Sequence, residues 1–152
     1  MKWKKDDVKL FFQEKEYIDT LCIPLVPIDL SSEHEATKLA DQATTLQIMT
    51  DELERNFTGR IMISPAYTYV RTGDYEKESI HLNQWTSLFS NQHFKHVFLL
   101  TYDVNWKKNE QLLDQQLLWL THTTIDDYQS SETKKWVNNQ VAQISELIRS
   151  YW

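Results

Sequence analysis

His122 is the side chain best suited to move a proton, because histidine titrates near neutrality and Asp103 or Asp126 can orient it. A partnering nucleophile would have to be Ser64 or a nearby threonine. None lies in a G-x-S-x-G elbow, so a Ser–His–Asp hydrolase has no support. His93 and His96 stand three apart with His81 upstream, a step that can bind metal when one helix holds both rings. Here the helix ends near Gln92, and no H-E-x-x-H frame exists, so a solvated turn is the reading and no metal is expected. Cys22 is the only cysteine, which excludes an intrachain disulfide and a cysteine-based zinc site. It sits in an apolar run with no cation nearby, as a small hydrophobe does. Gly59 and Gly73 are the only glycines, and neither falls in a G-x-G-x-x-G or P-loop frame. Dinucleotide and nucleoside-triphosphate cofactors are therefore unsupported, and no catalytic residue is assigned.

The elements that must position these residues alternate between short apolar runs and long amphipathic stretches. Residues 6–16 predict a short helix with acid near its start, burying Val8, Phe11 and Phe12. Residues 17–28 predict the first strand. Pro24 and Pro27 each remove a ladder donor, so the strand ends near Ile23, is bulged, or lies partly at an edge. Ser32 and Glu35 form a capping box ahead of the clearest helix, whose apolar stripe runs from Ala36 through Leu39, Leu46, Met49 and Leu53 to Phe57. Gly59 closes it. Residues 60–64 predict a second strand stopped by Pro65, and 71–79 a turn. Residues 80–92 predict a helix burying Leu82, Trp85, Leu88 and Phe89. Residues 96–102 predict a buried strand and 117–123 a fourth one. Residues 132–151 predict a final helix burying Val137, Val141, Ile144, Ile148 and Tyr151. The stretch 103–115 is barely long enough for a parallel crossover of about a dozen residues, which leaves the fourth strand's direction open.

This pattern predicts one α/β domain over 1–152, a three-layer α/β/α sandwich on a mostly parallel sheet of about four strands. It is of the flavodoxin- and Rossmann-like class without the nucleotide-binding glycine motif. A 152-residue chain buries roughly 68–70% of its unfolded surface and needs no disulfide or metal to fold. The formal charge of −6 argues against a nucleic-acid partner, which would require a basic patch. The longest apolar run, 21–28, contains two prolines and falls far short of the ~20 residues of a membrane span. Asp6 and Asp7 stand where a signal peptide would be apolar, so the expected location is cytoplasmic.

Several fragments resemble a small family of Bacillus-type bacterial proteins, the YpiF-like family, a domain of unknown function. They are Tyr17-Ile18-Asp19-Thr20 leading into Ile23-Pro24-Leu25, then residues 54–60 (Glu-Arg-Asn-Phe-Thr-Gly-Arg), then Pro65-Ala66-Tyr67-Thr68-Tyr69, with Trp106 and Trp119 later. The resemblance spans nearly the whole chain. It implies a Gram-positive cytosolic protein with no established activity and no catalytic residues to carry over. Some relatives are encoded beside menaquinol–cytochrome c reductase genes, a hint toward respiratory assembly or regulation.

Ligands of open parallel sheets bind at the carboxyl ends of the strands. That rule brings Tyr67, Tyr69, Arg71, Asp103 and His122 forward as a candidate site for a small polar ligand. Trp85, Trp119 and Trp136 hold periodic apolar positions and belong to the core. Trp3, Trp106 and Trp152 lie in a loop or near the termini, where they anchor a partner or pack back as lids. With no catalytic signature, the leading expectation is a non-enzymatic binding or regulatory protein acting through a protein partner or a homodimer. The alternative is an enzyme or sensor for a small polar metabolite. The first requires a contiguous exposed apolar patch, the second a single concave pocket holding all five strand-end side chains.

Overall fold

A computed structural model of the protein describes residues 1–71 and 73–152. Thr72, within the turn expected at 71–79, lies outside the described residues. In chain order the elements are α1 (Lys5–Gln13), β1 (Thr20–Ile28), α2 (Glu33–Asn56), β2 (Ile61–Ile63), β3 (Tyr67–Val70), α3 (Tyr75–Gln92), β4 (His96–Thr101), α4 (Val104–Lys108), β5 (Gln116–Trp119) and α5 (Ser131–Tyr151). Every strand pairing is parallel, in the order β2-β1-β4-β5, with β3 also on β1. β2 pairs with Thr20–Cys22 and β3 with Leu25–Ile28, so the two share one side of β1 and the sheet is four strands wide. β3 was not foreseen; Pro65 stops β2 as expected, and pairing resumes two residues later. β5 runs parallel to β4, which settles the open direction: α4 and a short 3-10 turn at Glu110–Leu112 fill the crossover.

The prolines neither end β1 nor send it to an edge. Alternate residues of a parallel strand turn their N–H and C=O to opposite neighbours. Cys22 and Ile28 accept from Ser64 N (3.1 Å) and Arg71 N (2.9 Å), so even-numbered residues face the β2/β3 side. Pro24 therefore points its missing donor at the break between β2 and β3. Pro27 faces the β4 side, beyond the last β1–β4 pair at Pro24–Leu100. Each proline occupies a position at which no ladder bond is owed.

Because both faces of the sheet are covered, its strands read as continuous apolar runs, yet consecutive side chains go to different cores. Cys22, Phe98, Leu100 and Leu118 pack with Leu46, Met49 and Leu53 of α2 and Val141, Ile144 and Ile148 of α5. Leu21, Ile23, Val97, Leu99 and Leu117 pack with Phe11, Tyr75, Leu82 and Trp106 on the other face. The result is the expected three-layer sandwich. Cys22 is fully buried and its thiol is pushed up to about 12 by desolvation, which leaves it an inert hydrophobe.

Helix ends follow their capping chemistry. Ser32 Oγ accepts from Glu35 N at 3.2 Å, but the Glu35 carboxylate goes to Arg71 instead of back to the cap. Gly59 takes the positive φ of 86° after α2. α3 begins earlier than expected, because Asp74 accepts from Lys77 N and caps it. Three apolar side chains expected inside are outside: Phe12 on α1, Leu88 on α3 and Tyr151 on α5. Phe12 borders an open groove described below. No described helix is long and apolar enough to cross a membrane.

Candidate functional site

The chain leaves β1 through α2 to β2 and β3 on one side, then passes through α3 to β4 on the other. The carboxyl ends of β1 and β4 are thus the switch point at which such sheets bind ligands. Here that crevice is filled by protein. Trp106 is fully buried and its indole N–H donates to Tyr69 Oη at 2.8 Å. Tyr69 Oη donates to Asp103 Oδ2 at 2.6 Å, and Tyr75 Oη donates to the same oxygen. Asp103 Oδ1 accepts from Asn105 N at 3.0 Å and so starts α4. The rings of Tyr69, Tyr75 and Trp106 meet edge to face. The space left beside Pro27, Gln42, Tyr102 and Asp103 is about 10 Å³, about enough for one water.

Trp106 is therefore neither a lid nor an exposed anchor, but the plug of the switch point. Trp152 is half-buried. Its indole N–H donates to Thr20 Oγ1 at 2.9 Å, and Arg60 lies 3.5 Å over its ring. It packs back onto the α2–α5 face.

The five strand-end residues do not share a cavity among the described residues. Tyr69 and Asp103 sit in the plug. Tyr67 Oη donates to Glu78 at 2.5 Å. Arg71 is clamped between Asp29 and Glu35, each at 2.8 Å. The Asp29 carboxyl is held down to about 2, first by the Ser31 backbone N–H and then by Arg71. His122 lies apart, beyond β5. The expected pocket fails for a local reason: Tyr67, Tyr69, Arg71 and Asp103 are each held by an internal partner.

The plug has a pH signature. Burial, reinforced by the Asp103 carboxylate, pushes the Tyr69 and Tyr75 hydroxyls far above the usual tyrosine range. Burial raises Tyr102 as well, with Asp41 acting in the same direction. A group raised on folding contributes stability that is complete below its unfolded value of ~10 and is lost as pH climbs through its folded value. These tyrosines should therefore stay un-ionised in an ultraviolet titration past pH ~10 and ionise only as the protein unfolds in alkali. Their normal titration in the folded protein would refute this description of the plug.

A cavity of about 450 Å³ opens between α2, β1 and the end of β2, and two larger ones lie elsewhere. The first is an apolar groove of about 640 Å³ between α1 and α3. Val8, Phe11, Phe12 and Lys15 form one wall, Trp85, Phe89 and Gln92 the other, and Leu21 and Met62 the floor. Trp3 and Phe12 stand at the rim with 65% and 68% of their surface exposed, and Leu88 is exposed one turn along α3 from Trp85. Among the described residues, Lys15 is the only Lys, Arg, Asp or Glu lining it. Trp3 was singled out from sequence. Phe12 and Leu88 were misplaced, because an apolar stripe does not reveal whether a second layer covers it.

The second is a polar cleft of about 590 Å³ between α2 and the segment after β5. It contains His122, with Asp41, Lys38, His34 and Tyr128. Asp41, not Asp103 or Asp126, is the nearby carboxylate, its Oδ2 3.7 Å from His122 Nε2. Asp41 was unreadable as a partner, because the pairing spans most of the chain.

No solved structure matches the chain. A protein of Bacillus subtilis (strain 168), "Uncharacterized protein YpiF", is 28% identical over 152 residues, spanning 100% of this chain and 98% of that one. The resemblance seen in the sequence fragments thus holds over the full length. Residues 9–152 match the family described as "Protein of unknown function (DUF2487)", and the chain belongs to that family.

Proposed function

We propose that this chain, acting as one domain over 1–152, is a non-enzymatic binding protein that receives an amphipathic helix of a partner protein in the α1–α3 groove. The observation that carries this reading is the groove itself, an apolar trough of about 640 Å³ with exposed aromatic rims at Trp3 and Phe12. Two roughly facing helices with an apolar floor are the form in which helix-in-groove recognition works. Aromatic rims supply large contact area at little entropic cost. The exposed Lys4, Lys5 and Lys9 on and beside α1 are matched by Asp6, Asp7, Glu14 and Glu16, so the apolar surface and not charge would select the partner.

The test is quantitative capture from the native cytosol with tagged wild-type protein and with a Trp3→Ser/Phe12→Ser variant. Both substituted side chains are exposed, so the variant should melt with the wild type. The expected result is a stoichiometric partner protein whose recovery falls at least ~10-fold with the variant, as loss of hot-spot aromatics predicts. Equal recovery by both baits would sink the reading. So would a wild-type bait that comes back alone or only as a dimer of itself.

A further inference from the structure

His122 is built to present one bare ring nitrogen to solvent. Its side chain is 8% exposed, held edge to face by Tyr102 and Trp136 at 4.9 and 5.9 Å between ring centres. Thr45 Oγ1 donates its proton to the Asp41 carbonyl at 2.9 Å, so only lone pairs of that hydroxyl face the imidazole. The 3.1 Å contact between His122 Nε2 and Thr45 Oγ1 is therefore an Nε2–H donating. Burial lowers the proton affinity of His122, and Lys38 acts in the same direction, outweighing Asp41. The neutral ring thus carries its lone pair on Nδ1. That atom has no hydrogen bond among the described residues, yet it is not sealed in, since it is absent from the buried unpartnered atoms. His122 is one of the residues that line the cleft.

Lys38 lines the same cleft and makes no ion pair among the described residues. Asp41 is the one carboxylate there among the described residues, and it is occupied: it accepts from the Tyr128 hydroxyl and from Ile125 N at 3.3 Å, which fixes the far wall. The cleft thus combines an unpaired cation, a fixed acceptor and the unpartnered hydroxyls of Thr37 and Thr124.

We propose that this cleft binds a small hydroxylated anion, Lys38 taking the anionic group and His122 Nδ1 accepting from the hydroxyl. The site is separate from the α1–α3 groove and does not depend on it. Ring resonances of His122 in NMR spectra should report binding directly. The probes are glycerate and glycerol phosphate, with acetate (anion without hydroxyl) and glycerol (hydroxyl without anion) as controls. At least one hydroxylated anion should shift the His122 ring saturably and at least ~10-fold more tightly than either control. The carboxylate and phosphate arms distinguish the two anion types. A Lys38→Met variant, altered at an exposed position, should keep the fold and lose that preference. The proposal falls if neither anion shifts His122 saturably, if acetate matches them, or if Lys38→Met binds unchanged.

Discussion

Replacing Trp106 with alanine is expected to lower the unfolding free energy by about 3–5 kcal/mol, the usual cost of deleting a fully buried large aromatic. The side chain is 0% exposed and contacts the rings of Tyr69 and Tyr75, so no neighbour can close the void without breaking the edge-to-face cluster. Urea unfolding should show the loss as a lower midpoint with an unchanged slope. The exposed Trp3→Ala change should stay within about 0.5 kcal/mol of wild type. Two tryptophans that look alike in sequence would thus separate by a large fraction of the stability of a small domain. A Trp106→Ala protein as stable as wild type would mean that the switch point is not plugged as described.

Asp103→Ala is expected to cost a comparable amount by a different route. The carboxylate accepts from both Tyr69 and Tyr75 and caps α4 through Asn105 N. Its removal leaves two buried hydroxyls without an acceptor, at roughly 1–3 kcal/mol each, besides the lost cap. Asp103→Asn keeps an acceptor oxygen and should recover part of the loss. Because Trp106 donates to the same Tyr69 oxygen that donates to Asp103, the double variant should lose less than the two single losses combined. Strict additivity in that cycle would show that the network does not act as a unit.

The α/β/α layering was legible because period-2 and period-3.6 apolar patterns are local properties of the chain. The capping residues Ser32 and Gly59 were legible for the same reason. β3 was hidden by its length: Tyr67, Thr68, Tyr69 and Val70 are all strand-favouring types, but four residues between Pro65 and the turn at Gly73 are too few to form a periodic pattern. The tolerance of β1 for Pro24 and Pro27 was hidden too, since it depends on which neighbour each residue faces and where that neighbour stops. The strand-end rule placed Asp103, Tyr69 and Arg71 in the right region. It gave no sign that Asp29, Glu35, Tyr75 and Trp106 would satisfy them internally. A candidate polar residue becomes a site only if its partners leave it free, and partnership between residues 28 to 42 positions apart is not written in spacing. The α1–α3 groove shows the converse: Phe12 follows a core-like stripe and ends at a surface because none of the described residues covers it.

The central claim is that this groove receives a partner. The most direct measurement installs a photoreactive phenylalanine analogue at position 12 in living cells, with a control at Leu147, which is exposed on α5 across the sheet. The account predicts one dominant crosslinked partner protein from position 12 and none from position 147. No adduct at position 12, or the same adducts at both positions, would contradict it.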